Sequence, residues 1–136
     1  MNKEWPMSKP VEHAKRDVHK FGGQIEDYLP IHNWFDQTKA FMPDMRHRAI
    51  LHNAFGIYLC EQVFGPTIKN SDGNIIATRT IAERHVLQDL KHIPTFHDCF
   101  GDMQFKDWMM GYHPGLRKMV LGKLENDRID LRGDDA

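Results

Sequence analysis

The sequence predicts a mainly α-helical single domain: five to six helices around a buried central helix at about residues 45–64, with one small β-hairpin at about 67–78. Three observations carry this reading. Met45 to Phe64 places apolar residues in every direction around a helix of about 100° per residue, as a helix enclosed by others does. Gly and Pro divide the rest of the chain into segments of helical length. Only one stretch, around Asn70-Ser-Asp-Gly73, reads as paired strands joined by a tight turn.

The elements follow in order. Residues 1–10, with Pro6 and Pro10, read as an extended arm anchored at most by Trp5. Val11 to Lys20 is a short polar helix stopped by Gly22-Gly23. Tyr28-Leu-Pro-Ile31 is expected to be an extended connection, because the residue before a proline avoids the helical region. His32 to Phe41 is helical in pattern, with Trp34 and Phe35 as its apolar contacts, and Pro43 begins or kinks the next helix. The central helix over 45–64 ends at Gly65-Pro66, and Thr67-Ile-Lys with Asn74 to Thr78 forms the hairpin, which must lie on the helices to be stable. Thr80-Ile-Ala-Glu83 has capping-box spacing and opens a helix to about Lys91. Thr95 caps a further segment carrying Phe100, Met103, Trp108 and Met109, which read as core or partner contacts. Beyond Pro114-Gly115 a last helix runs through Met119, Val120 and Leu124 into a tail with four aspartates. The predicted organisation is an arm (1–10), one helical domain (11–125) and an acidic tail (126–136).

Composition excludes several classes of function. A chain of 136 residues can bury roughly two-thirds of its unfolded surface, so it needs neither disulfides nor a structural metal in order to fold. The balance of 18 Lys+Arg against 19 Asp+Glu lacks the basic excess of a duplex-DNA binder, which speaks against a nucleic-acid partner. There is no apolar run of membrane-spanning length and no signal-peptide core, so neither a membrane nor export is expected. Cys60 and Cys99 read as reduced thiols, which makes a cytoplasm the default setting. No GxSxG, P-loop, GxGxxG or CxxC is present.

The unusual feature is the nine histidines. His13 and Asp17, His32 and Asp36, and His85 and Asp89 are each four residues apart, so each pair shares a helix face. One histidine per segment converging on a common centre is how helical bundles build metal sites. The candidate metal ligands are therefore His13, His32, Asp36, His47, His85 and Asp89, and mixed His/Asp ligation suits zinc, manganese or iron. His47, His85 and Asp89 are the candidate catalytic groups, and Arg46 and Arg48 the candidate anion holders. The alternative is that the arginines pair with carboxylates such as Asp36, Asp89 or Glu61 and the histidines bond backbone carbonyls. Glu83 is read only as a capping residue. His19, His92, His97 and His113 are given no role.

The ordered string from His13 to Phe21-Gly-Gly23 (HxxxxxxxFGG) through Tyr28-Leu-Pro-Ile-His32 with Trp34-Phe-Asp36, Arg46-His-Arg-Ala49 with His52, Asn70-Ser-Asp-Gly73, and Glu83-x-His85-Val86 with Asp89-Leu90 and Ile93-Pro94 resembles a family of short uncharacterised proteins of bacteria and tailed phages. The resemblance covers residues 13–98 and implies a phage or prophage setting, without a fold or an activity. It departs at Asn53, where a second histidine is expected, and this counts against a ligand at 52 or 53. Residues 99–136 fall outside the resemblance and read as particular to this chain, a partner-binding addition with extra helices at 99–125.

Two functions are therefore expected, and whether the chain is an enzyme is left open between them. One is a phage-type protein with a buried His/Asp/Arg site for a divalent metal or an anion, extending to a metal-dependent hydrolase. The other is a virion component or host-factor binder in which these residues form a structural polar network. The aromatic segment Phe96 to Tyr112 and the acidic tail point to a protein partner or a homo-oligomer, in the cytoplasm of a bacterial host or in the virion.

Overall fold

A computed structural model describes residues 9–111 and the isolated positions 115, 119 and 122. The arm before residue 9, the last predicted helix and the acidic tail lie outside the described residues. The chain divides into two compact units, residues 1–101 and 102–136. As predicted, the fold is mainly helical with one two-stranded antiparallel sheet.

Helix α1 spans Pro10–Phe21, with Pro10 in its first turn, where the missing N–H costs nothing. Helix α2, Ile25–Asp36, corrects the expectation of an extended segment at 28–31, because Pro30 lies inside it. A capping box between Gln24 and Asp27 starts this helix. Tyr28, Ile31, His32 and Phe35 then fall on one buried face at helical spacing, and that burial outweighs the hydrogen bond lost at Pro30. A 3-10 turn, Gln37–Ala40, follows.

The predicted central helix is divided. A 3-10 turn (Met45–His47) leads into α3 (Arg48–Leu51), the chain breaks at His52 and Asn53, and α4 (Ala54–Phe64) resumes. Asn53 makes the break from both sides. Its Nδ2 donates to the Ala49 carbonyl at 2.8 Å, and its Oδ1 accepts from the Gly56 N–H at 2.8 Å. A single asparagine thus closes α3 and caps α4. Nor is α4 enclosed on all sides, since Tyr58 and Val63 are more than half exposed.

Strands β1 (Thr67–Lys69) and β2 (Ile75–Ala77) pair with Ile68 opposite Ile76. The turn between them is tied to the helices by Asn70, whose Nδ2 donates to the Phe21 carbonyl and the Tyr28 hydroxyl. Helix α5 spans Thr78–Leu90 and begins directly from β2 rather than at the predicted Thr80 cap; Glu83 pairs instead with Arg79. Helix α6, Phe96–Phe100, carries the predicted cap, with Thr95 and Asp98 satisfying each other's backbone N–H groups. In the second unit, Met103, Trp108 and Met109 are exposed, and a 3-10 turn spans Asp107–Met110. The predicted helical spacing there does not produce a described helix or a core.

The apolar core of the first unit is Ala14, Tyr28, Ile31, Phe35, Leu51, Ile57, Cys60, Ile76, Ile81, Ala82 and Val86. Buried polar residues are as numerous as these apolar ones among the described residues. That is far from the usual interior, in which His and Asp are mostly exposed.

The break at 52–53 yields a stability prediction. A Cβ at Gly56 would lie 1.7 Å from the Leu51 carbonyl oxygen, a backbone atom that cannot step aside. Gly56→Ala is expected to cost about 3 kcal/mol or more in chemical denaturation, at or above the upper end of ordinary overpacking. A loss below about 1 kcal/mol would contradict this account of the break.

Candidate metal centre

Five histidines, His13, His32, His47, His52 and His85, are exposed by 1% or less. Helix α1 supplies His13 and Asp17, α2 supplies His32 and Asp36, the break supplies His52, and α5 supplies His85 and Asp89. The three His/Asp pairs at i, i+4 all point inward, so their shared faces meet.

Four donor atoms form a closed set. His52 Nε2 and His85 Nε2 are 3.1 Å apart. Asp89 Oδ2 lies 3.0 Å from His52 Nε2 and 3.3 Å from His85 Nε2. Asp36 Oδ1 lies 3.6 Å and 3.5 Å from the same two nitrogens. A tetrahedron of metal–ligand bonds about 2.0–2.1 Å long has edges of about 3.3–3.4 Å. The group has the residue types, spacing and burial to hold a metal ion.

Further observations point the same way. Both oxygens of Asp36 are buried without a hydrogen-bond partner, as are His52 Nδ1, His47 Nε2, and Nε and an Nη of Arg48. Among the described residues, the remaining buried side-chain polar atom with no partner is Thr78 Oγ1. The deficit is thus concentrated at one place. Orphaned buried polar groups cost about 1–3 kcal/mol each, a cost that a bound ion or ordered water at this place would relieve.

The sequence-predicted residues are distributed around this set. Asp36, His85 and Asp89 are in it. His13 lies on its rim: Nδ1 is 2.6 Å from Gln88 Oε1, and Nε2 is 3.1 Å from Asp89 Oδ1. Arg16 donates to the same Gln88 oxygen, which fixes the amide's orientation. His32 is one shell further out, between His85 and Asp17. His47 lies beside His52 with the rings perpendicular, 5.6 Å between centroids, and belongs to neither group of converging ligand atoms. Arg48 Nη2 is 3.9 Å from Asp89 Oδ1. Arg46 is on the surface, bonded to Asp44 at 2.8 Å, and does not join the cluster. His52 completes the set of four although the sequence counted against it. Its orientation comes from the helix break, which no residue spacing predicts.

Burial governs the proton affinities. It lowers His52 and His47, and it takes His32 down to about 4 despite the Asp17 hydrogen bond. For His85, burial pulls downward too, but the flanking Asp36 and Asp89 carboxylates raise it overall. Burial would raise Asp89, yet His13, His52 and His85 hold it well below the usual carboxylate range. Burial likewise opposes the net lowering of Asp36 by its neighbours His85, Lys39 and His52. The anionic carboxylates and the lowered His52 are in the protonation states that bind a divalent ion, whereas the raised His85 would have to give up a proton on binding.

The chain belongs to the DUF6915 family, a domain of unknown function, whose profile matches residues 8–109. The match reaches past residue 98, so the stretch 99–109 is part of the family rather than particular to this chain. No curated protein and no solved structure matches the chain significantly.

The lowered histidines set a pH dependence. As pH falls below 6.5, the unfolded chain takes up a proton at His32 that the native state refuses until about 4. Stability therefore falls with acidification through that window. His47 and His52 act in the same direction and the raised His85 in the opposite one. Thermal unfolding of metal-free protein should show a falling Tm across this range, with a flatter profile in His32→Gln. A Tm that is level or rising on acidification would contradict the assignment.

Proposed function

We propose that the chain binds one divalent transition-metal ion through Asp36, His52, His85 and Asp89, and uses it to hydrolyse an anionic ester. The observation that carries this reading is the convergence of four ligand atoms within 4.8 Å of one another, five of their six separations being 3.0–3.6 Å, with both Asp36 oxygens lacking a hydrogen-bond partner. Two imidazoles and two carboxylates suit zinc, manganese or iron. The metal would lower the pKa of a bound water and polarise the ester oxygen.

Arg48 and His47 supply what the metal ligands do not. Arg48 offers buried, unpartnered N–H groups beside Asp89, suited to an oxyanion such as a phosphate. The Thr38 hydroxyl donates to the His47 carbonyl, so the contact between its oxygen and Nδ1 requires the ring N–H there to donate. This leaves His47 Nε2 as a buried lone pair, able to accept a proton, and burial keeps the ring neutral. The side chains of Arg48 and Asp36 retain slight exposure, 12% and 8%, although both Asp36 oxygens are themselves buried. Among the described residues no helix is long and apolar enough to cross a membrane, and a bacterial or phage setting is what the sequence resemblance implies.

Elemental analysis of purified protein should find about one metal ion per chain, lost in Asp36→Ala and His52→Ala. Chelator should lower the Tm, and metal at about 100-fold over its Kd should restore about 2.7 kcal/mol. Arg48→Ala should keep the ion but lower turnover of p-nitrophenyl phosphate or bis(p-nitrophenyl) phosphate by about tenfold or more. Protein without stoichiometric metal, whose Tm responds to neither chelator nor metal, would end the metal reading. Metal binding without turnover of any anionic ester would end the hydrolase part alone.

A further inference from the structure

The second group of converging ligand atoms, His13, His32 and His85, resembles another metal site. The hydrogen bonds argue otherwise for His32. Asp17 is buried, and its two oxygens have different partners. Arg84 Nε donates to Oδ1 at 3.0 Å, and His32 Nε2 lies 2.5 Å from Oδ2. A carboxylate can only accept, so His32 carries its proton on Nε2. In the neutral ring Nδ1 is then a lone pair. That lone pair lies 2.9 Å from His85 Nδ1, which must therefore carry the hydrogen that bridges them. With one proton on the ring and that proton on Nδ1, His85 Nε2 is the lone pair; it faces the Asp36 and Asp89 oxygens, which can only accept, and His52 Nε2 at 3.1 Å, which can donate to it.

We propose that Asp17 and His32, anchored by Arg84, are positioning residues that fix the His85 proton on Nδ1 and keep its Nε2 lone pair directed into the four-atom cluster. The role as a metal ligand rests on the proposed function; the proton placement stands independently of it. His32 is thereby assigned as the support of a ligand rather than a ligand, as a metal-bound histidine ordinarily donates its second N–H to a fixed acceptor. Here the acceptor is another imidazole, and the fixed charge two steps away is Asp17. Arg84 ends the chain at the protein surface, its guanidinium over the Phe21 ring at 5.3 Å.

The arrangement makes Asp17→Asn informative. Arg84 still requires an oxygen on its side, so the asparagine must turn its NH2 toward His32 Nε2. That nitrogen then becomes the acceptor, the His32 proton moves to Nδ1, and His85 must accept there and carry its own proton on Nε2. One amide thus reverses the polarity of the whole chain and blocks the nitrogen that faces the cluster.

Long-range proton–nitrogen NMR correlation of metal-free protein, at a pH above the histidine range, reads each tautomer directly. The wild type should show His32 protonated on Nε2 and His85 on Nδ1, with both reversed in Asp17→Asn. Titration with zinc or manganese should then give about 10–100-fold weaker binding for Asp17→Asn. His32→Gln, whose amide can accept from His85 and donate to Asp17, should retain more affinity than His32→Leu. A wild-type His85 protonated on Nε2 overturns the proposal, as does full metal affinity in a folded Asp17→Asn protein. If the wild type takes up no metal, the metal reading fails separately, and the spectra still decide the proton chain.

Discussion

Two carboxylates, Asp36 and Asp89, are buried beside two imidazole nitrogens, and the first unit is organised around that arrangement. Isolated charges in an interior carry a large desolvation penalty unless they are paired or bound to a metal. Asp89 is surrounded by His13, His52, His85 and Arg48, whereas Asp36 has only Lys39 and long contacts to two histidines. This asymmetry leaves Asp36 the less fully compensated of the two carboxylates.

The apolar core and the polar centre are built by the same helices. On α2 the core residues Ile31 and Phe35 alternate with His32 and Asp36, so one helix turn serves both. Phe35 stacks on the His85 ring, 4.8 Å between centroids, and forms an apolar wall for the cluster. On α5, Ile81, Ala82 and Val86 pack inward beside His85. Rigid packing of this kind holds ligands to the tolerances that a metal site or a catalytic site requires.

Much of the site was legible in the sequence because α-helical periodicity is local. Three pairs at i, i+4, His13 with Asp17, His32 with Asp36 and His85 with Asp89, share helix faces whatever the tertiary arrangement, and all three faces are buried. The helical class, the hairpin around Asn70 and the Thr95 cap are local signals too, and they appear where expected. The misreadings occurred where local preference met a longer-range constraint. Pro30 favours an extended chain, but the buried face of α2 overrides it. The all-round apolar pattern of 45–64 reads as one helix, but an asparagine able to cap in both directions divides it. Apolar residues at 103–109 have helical spacing without a described core to bury them.

The sequence by itself determined which residues are paired on which helix faces, because that depends only on the turn of a helix and the position of Gly, Pro and capping residues. Tertiary structure alone decided which of those faces meet and what role each histidine takes. His52 enters the cluster because the chain breaks beside it, and His32 stands behind His85 because its ring nitrogens lie between another imidazole and a carboxylate. A histidine's role follows from what faces each of its two nitrogens, and that is set by packing between segments far apart in the chain.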